Sequence, residues 1–168
     1  MEKILKHDVF LSYPPLGVSG YFNFEADFVA DNVRCIPMIA RLKLDACGIK
    51  LSLKQWSKML IEERNFVVEA DCSSNEKLLS YRNKLQNIIR NRTSETPKEI
   101  EVETEPEWGN LQQVPAVVFA QCKAIDVTLS LAQWQQLHTL QRFALVKLCK
   151  SSHEHRNLPL ALKEFQVI

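Results

Sequence analysis

Glycine is scarce in this chain of 168 residues: Gly17, Gly20, Gly48 and Gly109 are the full set. A Walker loop or a dinucleotide fingerprint needs glycines clustered against a phosphate, so both nucleotide-binding classes are excluded. Long apolar runs are missing too. The longest, Val114 to Ala120, falls far short of the ~18 residues a membrane span requires. Neither sign of charge dominates, with 21 Lys and Arg against 20 Asp and Glu, which lacks the global positive charge of a dedicated nucleic-acid binder. The five cysteines, Cys35, Cys47, Cys72, Cys122 and Cys149, make an odd count with no C-x-x-C pair. That argues against a secreted disulfide framework and for reduced thiols in a cytoplasm. The patch Val9-Phe10-Leu11 is too short for the h-region of a signal peptide and runs at once into Tyr13, Pro14 and Pro15. No G-x-S-x-G, H-E-x-x-H or comparable nucleophile arrangement occurs, so the residues nominate no catalytic group and no cofactor.

What is present is an ordinary globular composition, 46% apolar and 24% charged. A domain of this length removes roughly 70% of its unfolded surface from water and folds without disulfides or a structural metal. Residues 1–20, rich in Pro and Gly at their end, read as a mobile arm. Residues 21–168 read as a single helical domain.

That domain carries an internal repeat. An ungapped offset of 78 lays Ile36–Glu76 over Val114–Glu154 with twelve identities, among them Pro37/Pro115, Leu51/Leu129, Ser52/Ser130, Gln55/Gln133, Trp56/Trp134 and Arg64/Arg142. Pro37 and Pro115 suit the start of a helix, where a missing N–H costs nothing. Ile36, Ala40, Leu44 and Cys47 then fall on one helical stripe, as do Val114, Val118, Cys122 and Ile125. Gly48 supplies a left-handed helix end, a position taken by Asp126 in the second copy. Ser52 with Gln55, and Ser130 with Gln133, form capping boxes. Leu51 with Trp56, and Leu129 with Trp134, form hydrophobic staples that give both tryptophans a structural task.

A third helix is expected over about 62–70 and 140–149, the latter capped by Thr139. Capping-box spacing at Ser73–Glu76 and Ser151–Glu154 starts a fourth, long in the first copy with Leu78, Tyr81, Leu85, Ile88 and Ile89 on one side. Pro159 shortens it in the second, where it ends near Phe165. The expected fold is therefore mainly α: two four-helix repeats, 36–92 and 114–168, sharing one core and joined by an acidic linker, 93–113. Phe22, Phe24 and Phe28 alternate with polar residues and predict a short extended N-terminal segment.

Three patterns have two readings each. Residues 93–107 hold six Glu and one Lys, while 76–92 hold five basic residues and one Glu; linker and preceding helix neutralise one another, or the linker tethers a basic partner. Cys149, His153 and His155 form C-x3-H-x-H, either a set of metal ligands or a buried thiol beside a solvated helix start. Arg34, Arg41, Lys43, Lys50, Lys54 and Lys58 lie in the first copy, and five of them face Phe119, Gln121, Thr128, Ala132 and Gln136 in the second. They are an electropositive docking face or solubility drift. Glu25 and Asp27 show no opposed environments that split acid from base, and read as solvated carboxylates.

The segments Phe22-Asn23-Phe24-Glu25-Ala26-Asp27-Phe28, Arg34-Cys35-Ile36-Pro37-Met38, Lys43 to Leu51, Gln141 to Leu148 and Ala161 to Phe165 together resemble the nitrate reductase-associated protein family, best represented in cyanobacteria. The likeness runs from Tyr21 to the C-terminus. It implies a cytoplasmic, non-catalytic accessory or maturation factor for assimilatory nitrate reductase, an enzyme with molybdenum cofactor and an iron–sulfur cluster. Its partner is then the reductase or an assembly intermediate, with no membrane and no nucleic acid. The alternative is a small metal carrier using Cys149, His153 and His155.

Overall fold

A computed structural model describes residues 21–26, 35–152 and 154–168. The fold is mainly α. The chain divides between Thr104 and Glu105 into two compact units. In the first, α1 (Met38–Cys47), β1 (Ile49–Lys50), α2 (Leu53–Lys58), α3 (Ile61–Glu69), α4 (Asn75–Thr93) and β2 (Lys98–Glu99) follow in order. The second holds α5 (Ala116–Ala124), α6 (Leu131–Gln136), α7 (Thr139–Lys150) and α8 (Leu158–Glu164), with single 3-10 turns at Glu107–Gly109 and His155–Asn157. Each unit thus has four helices among the described residues. The starts of α5, α6 and α7 fall at the positions that the offset of 78 aligns with the starts of α1, α2 and α3.

Local chemistry explains these boundaries. Ile36, just ahead of α1, and Ala40, Leu44 and Cys47 within it are all buried, and Gly48 ends the helix at φ 69°, ψ 34°. Asp126 takes the same left-handed conformation after α5, at φ 58°. There Val118 and Cys122 are buried, but Ile125 falls beyond the helix and is exposed. The predicted capping boxes at Ser52 and Ser130 form. Ser52 Oγ accepts from the Gln55 amide at 3.1 Å while Gln55 Oε1 accepts from the Ser52 amide at 3.0 Å, and Ser130 and Gln133 repeat the exchange at 3.2 and 3.0 Å. The staple residues Leu51, Trp56, Leu129 and Trp134 are buried.

Four expectations need correction. Residues 23–25 form a 3-10 turn instead of a strand, because the Glu25 carboxylate folds back to accept from the amides of Phe22 (3.1 Å) and Met38 (2.7 Å). The alternation still puts Phe22 and Phe24 together, stacked with ring centroids 5.4 Å apart; Phe28 lies outside the described residues. α7 is capped from His138, whose amide donates to Gln141 Oε1 at 2.8 Å, and Thr139 is already inside the helix. α4 is capped one residue later than expected, by Ser74, whose hydroxyl accepts from the Lys77 amide. The box at Ser151–Glu154 starts no α-helix: α8 begins at Leu158, with Pro159 in its first turn, where its ring is tolerated.

The linker is also more ordered than its composition suggests. Its first residue, Thr93, ends α4, and Lys98–Glu99 pairs antiparallel with Ile49–Lys50, with Ile49 opposite Glu99 and Lys50 opposite Lys98. Trp108 is buried edge-on to Phe143, centroids 5.8 Å apart.

Candidate functional site

Most of the side chains with chemical potential are occupied by the fold. Glu25 is buried, and its carboxylate sits at the first amide of α1, a ten-residue helix whose N-terminal partial charge favours an anion there. The solvated-carboxylate reading of Glu25 is therefore wrong; Asp27 lies outside the described residues. Replacing Glu25 with Ala leaves the buried Phe22 and Met38 amides without their acceptor and should lower stability by about 2 kcal/mol. Urea unfolding of the variant measures it, and an unchanged midpoint would show that the cap contributes nothing.

Lys43, predicted for a docking face, is buried, and its ammonium donates to the carbonyls of Val68 (2.5 Å) and Ala70 (2.7 Å) at the end of α3. Burial pulls its pKa below the usual lysine value, and the Cys72 thiol and the carboxylates of Asp71 and Glu69 partly oppose that shift. It terminates a helix and presents no charge to a partner. The other members of the predicted face divide. Lys50, Lys54 and Lys58 are exposed, with Lys54 reaching toward Glu95 at 3.8 Å. Arg41 is half-buried, with Nη1 3.6 Å from Met38 Sδ. Arg34 lies outside the described residues.

All five cysteines are free thiols. Desolvation dominates their chemistry: burial pushes Cys47 and Cys149 up to about 12 and Cys72 to about 11, and raises Cys122 as well. These groups stay protonated in the fold at a pH where the thiols of the unfolded chain ionise, about 9. Their contribution to stability is complete below about pH 9 and is lost as pH rises toward 12. With an aromatic disulfide reagent at pH 8, one thiol of the native protein, the half-buried Cys35, should react promptly and the other four only on unfolding. Prompt reaction of several thiols would contradict this.

Cys149 is buried, and His155 Nε2 lies 3.1 Å from the carbonyl of Cys149, at the end of α7. His153 lies outside the described residues. No group of three His, Cys, Asp or Glu among the described residues is placed to hold a metal ion.

Two arginines clamp the corners between the second and third helix of each unit. Arg64 Nε and Nη2 donate to the Met59 carbonyl at 3.2 and 3.0 Å, and its guanidinium stands 5.9 Å from the centroid of the Trp56 ring. Arg142, at the aligned position, is buried and donates to the carbonyls of Leu137 and Trp108 and to Thr139 Oγ1. The tryptophans diverge. Trp134 Nε1 donates to the Asn110 carbonyl at 2.8 Å, whereas the Trp56 indole N–H is buried with no hydrogen-bond partner.

The first unit exposes Lys50, Lys54, Lys58 and Lys98 among its charged residues. Comparison of the aligned segments singled out Lys50, Lys54 and Lys58 and passed over Lys98, which lay in the acidic linker. The alternation Glu99-Ile100-Glu101-Val102-Glu103 was the available signal for a strand there. Two of the acidic residues around it are engaged within the unit: Glu99 pairs with Arg82 at 2.6 Å, and Glu95 accepts from Gln55 at 2.8 Å. In the second unit Glu107 pairs with Lys150 at 2.6 Å. Among the described residues, no helix is long and apolar enough to cross a membrane.

Neither the curated proteins nor the solved structures contain a match to this chain. The family model described as conserved nitrate reductase-associated protein matches residues 21–165. That span begins at the aromatic turn that delivers Glu25 to α1 and ends one residue after α8, so it takes in both units and nearly all of the buried framework described above. By this match, the chain belongs to the conserved nitrate reductase-associated protein family.

Proposed function

We propose that this protein is a non-catalytic accessory or maturation factor for assimilatory nitrate reductase, acting in the cytoplasm through protein contact. The observation that carries the reading is the family match over residues 21–165, whose description links the family to the reductase and does not make it the reductase itself. The geometry is in keeping with it. Glu25, Lys43, Arg142 and the buried thiols serve the framework, and Lys50, Lys54, Lys58 and Lys98 are among the charged groups that the first unit exposes. Surfaces of that kind steer and orient a partner. We also read the two units as copies of one four-helix unit within a single 21–168 domain, supported by the shared capping boxes and arginine clamps.

The test is to purify nitrate reductase from cells with and without this protein and compare molybdenum content, cluster content and activity. Loss of any of the three in its absence is the expected result. Equal content and equal activity would end the accessory reading.

A further inference from the structure

Lys50 and Lys98 are directly opposed across the two-stranded ribbon of β1 and β2. Opposed residues of an antiparallel pair project from the same face, so two ammonium groups share one side of the ribbon. Lys50 and Lys98 are both exposed; in the neighbouring pair Ile49 is buried and Glu99 exposed. Like charges placed this way destabilise a ribbon. Among the described residues neither lysine forms an ion pair. Of the carboxylates nearest Lys98 in sequence, Glu99 is engaged by Arg82 at 2.6 Å and Glu95 by Gln55 at 2.8 Å and Lys54 at 3.8 Å, while Glu101 is exposed. The charge continues past the ribbon, because α2 starts three residues after Lys50 and carries exposed Lys54 and Lys58 one turn apart. The aligned positions of the second unit hold Thr128, Ala132 and Gln136, so a helix pair of this design folds without those lysines.

We propose that the Lys50–Lys98 face of the ribbon, extended by Lys54 and Lys58, is a docking site for an acidic polypeptide segment. An acidic segment fits because four exposed lysines lie on elements adjoining in sequence within one small unit, and the opposed pair of the ribbon forms no ion pair among the described residues. A net charge of +1 on the whole chain supplies no long-range field for a nucleic acid, whereas a local patch suffices to orient a carboxylate-bearing peptide. Docking would turn a repulsive pair into a bridged one, so binding and stability are expected to respond to the same residues in opposite directions. The proposal deepens the accessory reading and rests on it only for where the acidic segment comes from.

The experiment uses the full chain and a fluorescent oligoglutamate peptide of about ten residues, read by anisotropy at low salt. Lys98→Glu should weaken binding about tenfold while the urea midpoint rises or holds, because Glu at this position faces Lys50 across the ribbon. Lys98→Gln keeps the test valid if the reversal fails to fold, and should weaken binding by a smaller factor. Lys163→Glu, in the second unit, should leave binding unchanged. Binding should also weaken as salt is raised.

Unchanged binding in Lys98→Glu overturns the proposal, as does a short DNA duplex that binds as tightly as the peptide. A rise in molar mass with concentration that Lys98→Glu abolishes overturns it too, in favour of a second copy of this chain. Failure of the accessory reading looks different: the reductase would keep its metal content and activity without this protein, whatever the peptide does.

Discussion

Arg142→Met should lower the stability of the protein by about 2–4 kcal/mol. The guanidinium is buried and has no carboxylate partner; it is satisfied by the carbonyls of Trp108 and Leu137 and by Thr139 Oγ1. Methionine matches much of the volume, so the effect isolates polar satisfaction from cavity formation. Two backbone carbonyls cannot be removed along with the side chain, which separates this case from a buried ion pair replaced as a whole by apolar groups. They would face a desolvated interior without donors. Burial also pulls the arginine below its usual pKa, but a guanidinium does not give up its proton in proteins. The loss should therefore be the same at pH 6 and pH 9. Arg142→Lys should recover part of it, because one ammonium reaches fewer of three acceptors that a planar fork spans.

The matching substitution in the first unit sets the scale. Arg64 is half-buried and serves a single carbonyl, that of Met59, so Arg64→Met should cost about 1 kcal/mol. The difference traces to Trp108. In the second unit its carbonyl accepts from Arg142 Nε while its ring packs on Phe143, so one residue of the acidic linker is held at both ends. Equal losses for the two variants would show that the arginines act through their common corner alone and that the Trp108 contact adds nothing.

Arg142 also marks where sequence reasoning stopped. The identity of Arg64 and Arg142 was visible in the offset of 78, yet no local rule assigns a task to an arginine that caps a carbonyl five residues behind it. Capping boxes, staples and the left-handed turn at Gly48 were legible because each is closed within a few residues. Glu25 was misread for the opposite reason: its second acceptor contact is with Met38, thirteen residues on, across a segment that carries no pattern of its own. Lys43 failed likewise. A lysine on an amphipathic helix looks solvated until a second helix end, that of α3, arrives to take its ammonium. The proposed docking face was half visible, since the difference between the aligned segments singled out Lys50, Lys54 and Lys58. The pairing that brings Lys98 opposite Lys50 is a tertiary fact, and composition had assigned the strand to a linker.

Gly48→Ala should destabilise the first unit by about 2–3 kcal/mol, and here the cause is backbone geometry. Gly48 ends α1 at φ 69°, where an L side chain costs about 1–2 kcal/mol. Space is short as well. A Cβ there would meet the Ile100 carbonyl oxygen at 2.8 Å, Val102 Cγ2 at 3.1 Å and Arg82 Nη1 at 3.3 Å. The closest of these is backbone, and it belongs to the residue whose amide donates to the Gly48 carbonyl at 2.9 Å, so it cannot swing aside as a side-chain tip would. Relief requires β2 to move away from β1, which strains the Arg82 bridge between the end of α1 and Glu99. Asp126 supplies the control. It holds the same left-handed position after α5 at φ 58°, so Asp126→Gly should change stability by less than about 1 kcal/mol, as relief of strain and the entropy of glycine offset each other. Because Gly48 adjoins β1, Gly48→Ala should also disturb the register that opposes Lys50 to Lys98, and affinity for the acidic peptide should fall together with stability. Lys98→Glu separates those two quantities. If Gly48→Ala kept full stability, the approach of β2 to α1 would be looser than the 2.8 Å contact requires, and the ribbon could not hold its lysines in fixed opposition.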